Sequence, residues 1–397
     1  MRERLRRPFG QPGTPKRGTT MSVDTTAQGP SIPSPDAAGS ERPELLAAAR
    51  AFVDAGFAGI QLRVHDERGA WVGAAGVREL GGTELPPVEG RFWIGSSTKT
   101  FVAALVLRLA ADGAIGLDAP VAGHLPDLGL DGRITVRMLL QHTSGLYNYT
   151  GELDADGTFV PGLPSVGGPW VENRFHGYRP EELVRFALAE PARFEPGTGQ
   201  SYSNTNYTVA ALLVEAVTGR PYAEAMRQYV LEPLGLRDTV VPGDSPELPE
   251  PHAHGYARYR DGEEWKVVDV TRQNSSLLTG AGDMISTTRD LHTFFSALLG
   301  GRLVPAPLLE EMRTPHGMLG YGLGLFVQDL GPERGTVVHH NGGAPGGYGA
   351  LMIAAPDGSR TLTAGLTTGD AGTDPAQVFP AALDALITAV FRDGRER

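Results

Sequence analysis

Residues 100–107 read Thr-Phe-Val-Ala-Ala-Leu-Val-Leu, apolar around every face of a helix rather than along one stripe. Such a helix has no side to present to water, so it belongs inside the fold. Just ahead of it stands Phe92-Trp93-Ile94-Gly95-Ser96-Ser97-Thr98-Lys99. Ser96 falls at the helix start and Lys99 three residues on, and residues three apart share a face. A hydroxyl needs a neighbouring base to become a nucleophile. A lysine in dry, apolar surroundings sheds its charge more easily and can be that base. Taken alone, the pattern fits equally a helix cap followed by a first-turn lysine.

The chain of 397 residues has room for two domains, or for one with a large insertion, and 41% apolar content supports a core. Its 35 basic against 46 acidic residues leave a formal charge of −11, which argues against a nucleic-acid partner. With no cysteine, disulfides, thiolate catalysis and cysteine metal sites are excluded. No apolar run approaches the roughly 18 residues a membrane span needs. Residues 1–43 stand apart. Arg2, Arg4, Arg6, Arg7, Lys16 and Arg17 make the start basic, and Gly, Pro, Ser and Thr dominate to Ser40. We read a disordered tail, with Met21 as an alternative start. No apolar segment follows the arginines, so a secretory signal is not expected and a cytoplasmic location is.

Leu45 to Phe52 suggests a helix. Ile60, Leu62 and Val64 alternate with Gln61, Arg63 and His65, and Arg68-Gly69 turns the chain into a second strand, Trp71 to Val77. Helical signals then dominate to about residue 315. Thr135 caps Val136 to Gln141 with Gly145 as its end, Pro180 opens a helix, and Tyr207 to Val217 runs to Gly219. Leu291 to Leu299 is a further helix, and Pro242 to Arg272 reads as loop. Strands return at Gly322–Val327, Thr336–His339, Tyr348–Ala354 and Arg360–Leu366, with a turn at Pro356-Asp357-Gly358-Ser359. Gln377 to Phe391 closes as a helix. The expected fold is α/β (α+β): one antiparallel sheet built from both ends, flanked by helices, with a large all-helical insertion. The sheet domain comprises residues 44–95 and 317–397, and the helical domain residues 96–316.

Three more stretches bear on chemistry. Tyr202-Ser203-Asn204 sits on a loop before a helix, where a phenol can relay a proton and an amide can orient a substrate carbonyl. His339-His340-Asn341-Gly342-Gly343 ends a strand, where glycines let an extended substrate approach the backbone. Gln141-His142-Thr143-Ser144-Gly145 reads as helix packing and capping, with His142 a structural histidine. His252 and His254 form a lone pair without further ligand spacing, so no metal and no cofactor is expected. The Gly-x-Ser-x-Gly of an α/β-hydrolase is absent from the sequence.

Ser-x-x-Lys, then Tyr-x-Asn, then a basic residue-x-Gly on a late strand is the motif order of the serine β-lactamases and penicillin-binding peptidases. The chain resembles that family over residues 45–395. Arg133 to Thr150, Tyr202 to Tyr207 and Asp290 to Leu298 look most like actinomycete D-alanyl-D-alanine carboxypeptidases and class C β-lactamases. The resemblance implies a helical region inserted in an α/β domain, with the site in the cleft between them. It implies Ser96 as acylated nucleophile, Lys99 and Tyr202 sharing proton transfer, and Asn204 on the substrate amide. It also implies His340 as the basic residue of the third motif, and the N–H groups of Ser96 and Gly343 as the oxyanion hole.

Two departures qualify the substrate. Phe326 follows Tyr321-Gly322-Leu323-Gly324-Leu325 where the carboxypeptidases place a carboxylate-binding arginine, and Asn341 and Gly343 stand where they carry hydroxyl residues. Asn341, Gly342, Gly343 and Phe326 are thus expected at the substrate. The reading is a serine hydrolase or acyltransferase working through an acyl-enzyme on D-amino-acid peptides or amides. Its alternatives are an esterase or lactam hydrolase, and a catalytically inactive module of the same fold. The partner is a small molecule or peptide, and the protein a monomer.

Overall fold

A computed structural model describes residues 42–153, 158–372 and 375–392. The expected tail lies outside these residues, apart from Arg42 and Pro43. Pro43 opens helix α1, Pro43–Asp54, as proline at a first helical position can. Strands β1, Phe57–Asp66, and β2, Gly69–Gly76, follow as an antiparallel pair. The other strands of the main sheet come late: β3, Phe326–Asp329; β4, Thr336–His339; β5, Gly342–Ala344; β6, Tyr348–Ala354; and β7, Thr361–Thr368. The order is β2-β1-β7-β6-β4-β3, every pair antiparallel, with β5 also on β6. The first strand pair thus docks on the last strand.

Side-chain alternation sorts the two faces of this sheet. Leu351 and Ile353 join Ile60, Leu62 and Leu366 beneath α1 and the closing helix Pro375–Phe391. Ala350, Met352 and Ala354, between them in sequence, face the larger core of the helical region. That core surrounds α2, Thr98–Ala111, in which every residue from Thr98 to Leu107 is buried. The Phe101 ring stacks on Phe294 at 3.6 Å between centroids. Phe294 belongs to the helix Thr288–Leu299, whose amphipathic pattern covers the sheet from the same side.

Four local expectations are corrected. The segment 242–272 holds a hairpin, Tyr256–Asp261 with Glu264–Asp269. A strand begins only at Phe326, because Gly324, at φ +88°, turns the preceding residues against Ala103 and Lys99. Helix α3, Val136–Leu140, is capped by Thr135 as read but ends at His142 rather than Gly145. Ser96 lies in a 3-10 turn, Gly95–Ser97, that runs into α2. Among the described residues no helix is long and apolar enough to cross a membrane.

Candidate active site

The serine turn and strand β5 touch backbone to backbone. A methyl group on Gly342 would lie 1.9 Å from the Ile94 carbonyl oxygen and 2.9 Å from the Ser96 nitrogen. Only glycine permits that approach. Ser97 Oγ donates to the His340 carbonyl at 2.7 Å, fastening the start of α2 to the end of β4. The turn therefore sits at the seam between sheet and helices, with Ser96 partly open to solvent.

Lys99 is fully buried. Its Nζ lies 3.2 Å from Ser96 Oγ, 2.8 Å from Asn204 Oδ1 and 2.7 Å from the Ala281 carbonyl oxygen. Burial holds its pKa well below the usual lysine range, against the opposing pull of Asp283. A neutral amine has two N–H donors and one lone pair. Asn204 Oδ1 and the Ala281 carbonyl can only accept, so they take both donors. The lone pair is left for the Ser96 hydroxyl. Asp283, buried behind this group, has its own pKa pushed up to about 7 by burial, opposed by the N–H groups of Gly280 and Asp283 and by Lys99.

Burial raises the Tyr202 pKa above the ordinary phenol value, with the nearby Ser96 hydroxyl pulling the other way, so the phenol keeps its proton at neutral pH. Lys99 Nζ lies 4.8 Å from the centre of the Tyr202 ring. Asn204 is the first residue of α4, Asn204–Thr218. Its Nδ2 donates to Thr150 Oγ1 at 3.0 Å, which leaves one amide hydrogen uncommitted. Ser96, Lys99, Tyr202 and Asn204 thus form one connected cluster.

His340 borders this cluster in a different state from a free histidine. It is 1% exposed, with Nδ1 3.1 Å from the Asn341 carbonyl oxygen and Nε2 3.0 Å from the Tyr321 hydroxyl. A carbonyl only accepts, so Nδ1 carries the hydrogen and Nε2 receives the phenol proton. Burial, then the nearby Lys99, hold its pKa well below the usual value. Phe326 stacks on His339 at 5.2 Å and meets Tyr321 edge-on at 4.6 Å. Burial lowers the His339 pKa to about 4. This wall therefore carries no positive charge near neutral pH. Asn341 leads into β5, its Oδ1 buried without a partner, and Gly342 and Gly343 lie beside the serine turn.

Sequence reasoning missed Tyr321, Asp283 and the Ala281 carbonyl, and it gave His142 only a structural place. His142 is the one non-glycine residue among those described with positive φ, at +63°. That conformation costs a side-chain-bearing residue about 1 kcal/mol. The sequence did hold a signal for it: a helix ending on histidine where glycine is usual.

Residues 45–387 match the model of the family described as Beta-lactamase. Among solved structures the chain is similar to a D-stereospecific amidohydrolase from Streptomyces sp., with 37% identity and TM-score 0.75, over 86% of this chain and 98% of that one. It is also similar to the D-amino acid amidase from Ochrobactrum anthropi SV3, with 26% identity and TM-score 0.73, over 87% and 97%. Penicillin-binding protein 4* of Bacillus subtilis is 29% identical over 70% of this chain, which spans 62% of that protein's length. With the matched model covering most of its length, the chain belongs to the Beta-lactamase family.

Proposed function

We propose that the protein is a serine hydrolase that forms an acyl-enzyme at Ser96 and acts on D-amino-acid amides and on D-peptides with uncharged ends. One observation carries this reading: buried Lys99 Nζ meets two carbonyl oxygens and the Ser96 hydroxyl, so that once neutral it spends both N–H groups on the carbonyls and turns its lone pair to Ser96. In this mechanism Ser96 Oγ attacks the substrate carbonyl carbon while its proton passes to Lys99 Nζ. The N–H groups of Ser96 and Gly343 receive the oxyanion. Tyr202 protonates the departing amine, and the Lys99 ammonium gives its extra proton back to the phenolate, so that both groups end as they began. Water then attacks the ester by the reverse route. Asn204 directs its remaining amide hydrogen at the substrate, and His340 holds the end of β4 as an uncharged strut.

Similarity to the D-stereospecific amidohydrolase and the D-amino acid amidase supports the substrate class. So does the neutral wall of Phe326, His339 and His340. A second reading, ester hydrolysis, is favoured by 35% identity to Esterase EstB of Burkholderia gladioli, over 44% of this chain and 45% of that protein. The test is a panel of D- and L-amino-acid amides, D-Ala peptides and short-chain esters, with intact-mass detection of the acyl-enzyme. D-amides should lead, and Ser96→Ala should abolish both turnover and adduct. An adduct that persists in Ser96→Ala, or one mapped to Ser144, overturns the assignment.

A further inference from the structure

We infer that His142 is the positioning residue of Tyr202, gripping the chain on both sides of it and bracing its ring; this rests on the proton-transfer role proposed above for Tyr202. His142 closes α3 in a Schellman turn, in which its N–H donates to the Leu139 carbonyl at 3.3 Å and Thr143 N–H to the Met138 carbonyl at 2.9 Å. Glycine would adopt this backbone without strain, so the imidazole must be kept for what its side chain does. The left-handed conformation lets both the carbonyl and the side chain of His142 address the segment 201–203. Its carbonyl accepts from Ser201 N–H at 3.0 Å, and its Nδ1 accepts from Ser203 N–H at 3.2 Å. Between those two bonds the Tyr202 ring lies against the imidazole, 4.3 Å between centroids.

The ring is itself held. Ser203 N–H already makes Nδ1 an acceptor, so Asn206 turns its Nδ2 to it at 3.0 Å, and the Ser144 hydroxyl donates to Asn206 Oδ1 at the amide's other end. With two donors on Nδ1, the hydrogen resides on Nε2. That nitrogen is buried with no hydrogen-bond partner, in a ring set between Tyr202 and Tyr321. His142 has no route to the substrate: it is fully buried, and it acts through Tyr202.

Because Tyr202 serves the leaving group, misplacing it should matter only where the leaving group needs a proton. His142→Ala should lower kcat for a D-amino-acid anilide or amide by about 100-fold with little change in KM. Labelling of Ser96 by a fluorophosphonate, whose fluoride leaves unprotonated, should slow by less than about 3-fold. His142→Asn tolerates the left-handed backbone and keeps an acceptor near the Nδ1 position. It should recover part of the loss. The same His142→Ala change made on Tyr202→Phe should cost almost nothing further, since the pair acts as a unit. Equal losses with both probes, or full additivity with Tyr202→Phe, overturn the positioning role. If Tyr202→Phe alone hydrolyses amides at the wild-type rate, the proposed mechanism falls instead. Should His142→Ala fail to fold, His142→Asn carries the same two comparisons.

Discussion

At the scale of single residues, the site turns on where one proton rests. In the proposed mechanism Lys99 can act as a base only when neutral, and burial favours that state while the carboxylate of Asp283 opposes it. Activity should therefore rise with pH as Lys99 loses its proton, in a limb that belongs to the Lys99–Asp283 pair rather than to either group. Asp283→Asn removes the charge that favours the ammonium, so the acid limb of kcat/KM should move to lower pH. A limb that stays in place or moves up would show that Asp283 does not act on Lys99. Stability supplies a second reading of the same residue. The folded pKa of Asp283, about 7, lies above the usual 3.8. Its contribution is fully present below the unfolded value and is lost as pH rises through about 7. Asp283→Asn should thus raise the thermal midpoint by more at pH 8 than at pH 5, a comparison that scanning calorimetry makes directly.

At the scale of elements, the decisive contact is the serine turn against β5. Overpacking a tight site costs about 1–3 kcal/mol, and the Gly342→Ala methyl would meet the Ile94 carbonyl and the Ser96 nitrogen. This change should lower the thermal midpoint and slow fluorophosphonate labelling by at least about 10-fold, since about 1 Å of misplacement at the proposed oxyanion site is enough for such a loss. A methyl on Gly343 meets nothing within 4 Å, so Gly343→Ala should leave the midpoint nearly unchanged. Equal destabilisation by both would refute this account of the seam. Elements whose burial follows their own period were legible in the sequence: α2 because it is apolar all round, β1 and β7 because every second residue enters one core, and β6 because alternate residues face two cores. The hairpin 256–269 was not. Its exposed positions carry Arg260, Glu264 and Lys266, a composition that reads as loop. In the site, the nearness of Ser96 to Lys99 and of Tyr202 to Asn204 follows from their short spacing, whereas their joint role in one site was an expectation from the family resemblance. Ala281 is not legible, because it contributes a backbone carbonyl that any residue would supply. Tyr321 acts through long-range packing that leaves no local pattern, and His142 left only the signal of a histidine at a helix end.

At the scale of the whole molecule, sheet order decides which side chains stand beside His340. Strand β3 lies at the far edge of the sheet from β2, and it delivers Phe326 to the wall formed with Tyr321, His339 and His340. In the proposed reading this phenyl ring stands where the carboxypeptidases the chain resembles place a guanidinium, and the two histidines beside it are held uncharged by burial. The formal charge of −11 adds a field that disfavours anionic substrates at long range. A free terminal carboxylate would have to shed its water against this wall with no charged partner, an unfavourable exchange. The C-terminal amide of a D-Ala-D-Ala peptide should therefore match or exceed the free acid in kcat/KM. Added salt should narrow the gap by screening only the long-range part. Phe326→Arg should shift the acid-to-amide ratio toward the acid by about 10- to 100-fold, the worth of one charge-assisted hydrogen bond or a bidentate pair. The ratio is measured with one peptide in its two terminal forms, in both proteins. A wild-type preference for the free acid, unchanged by the arginine, would mean that a group outside this wall binds the carboxylate, and the specificity assigned to residue 326 would fail.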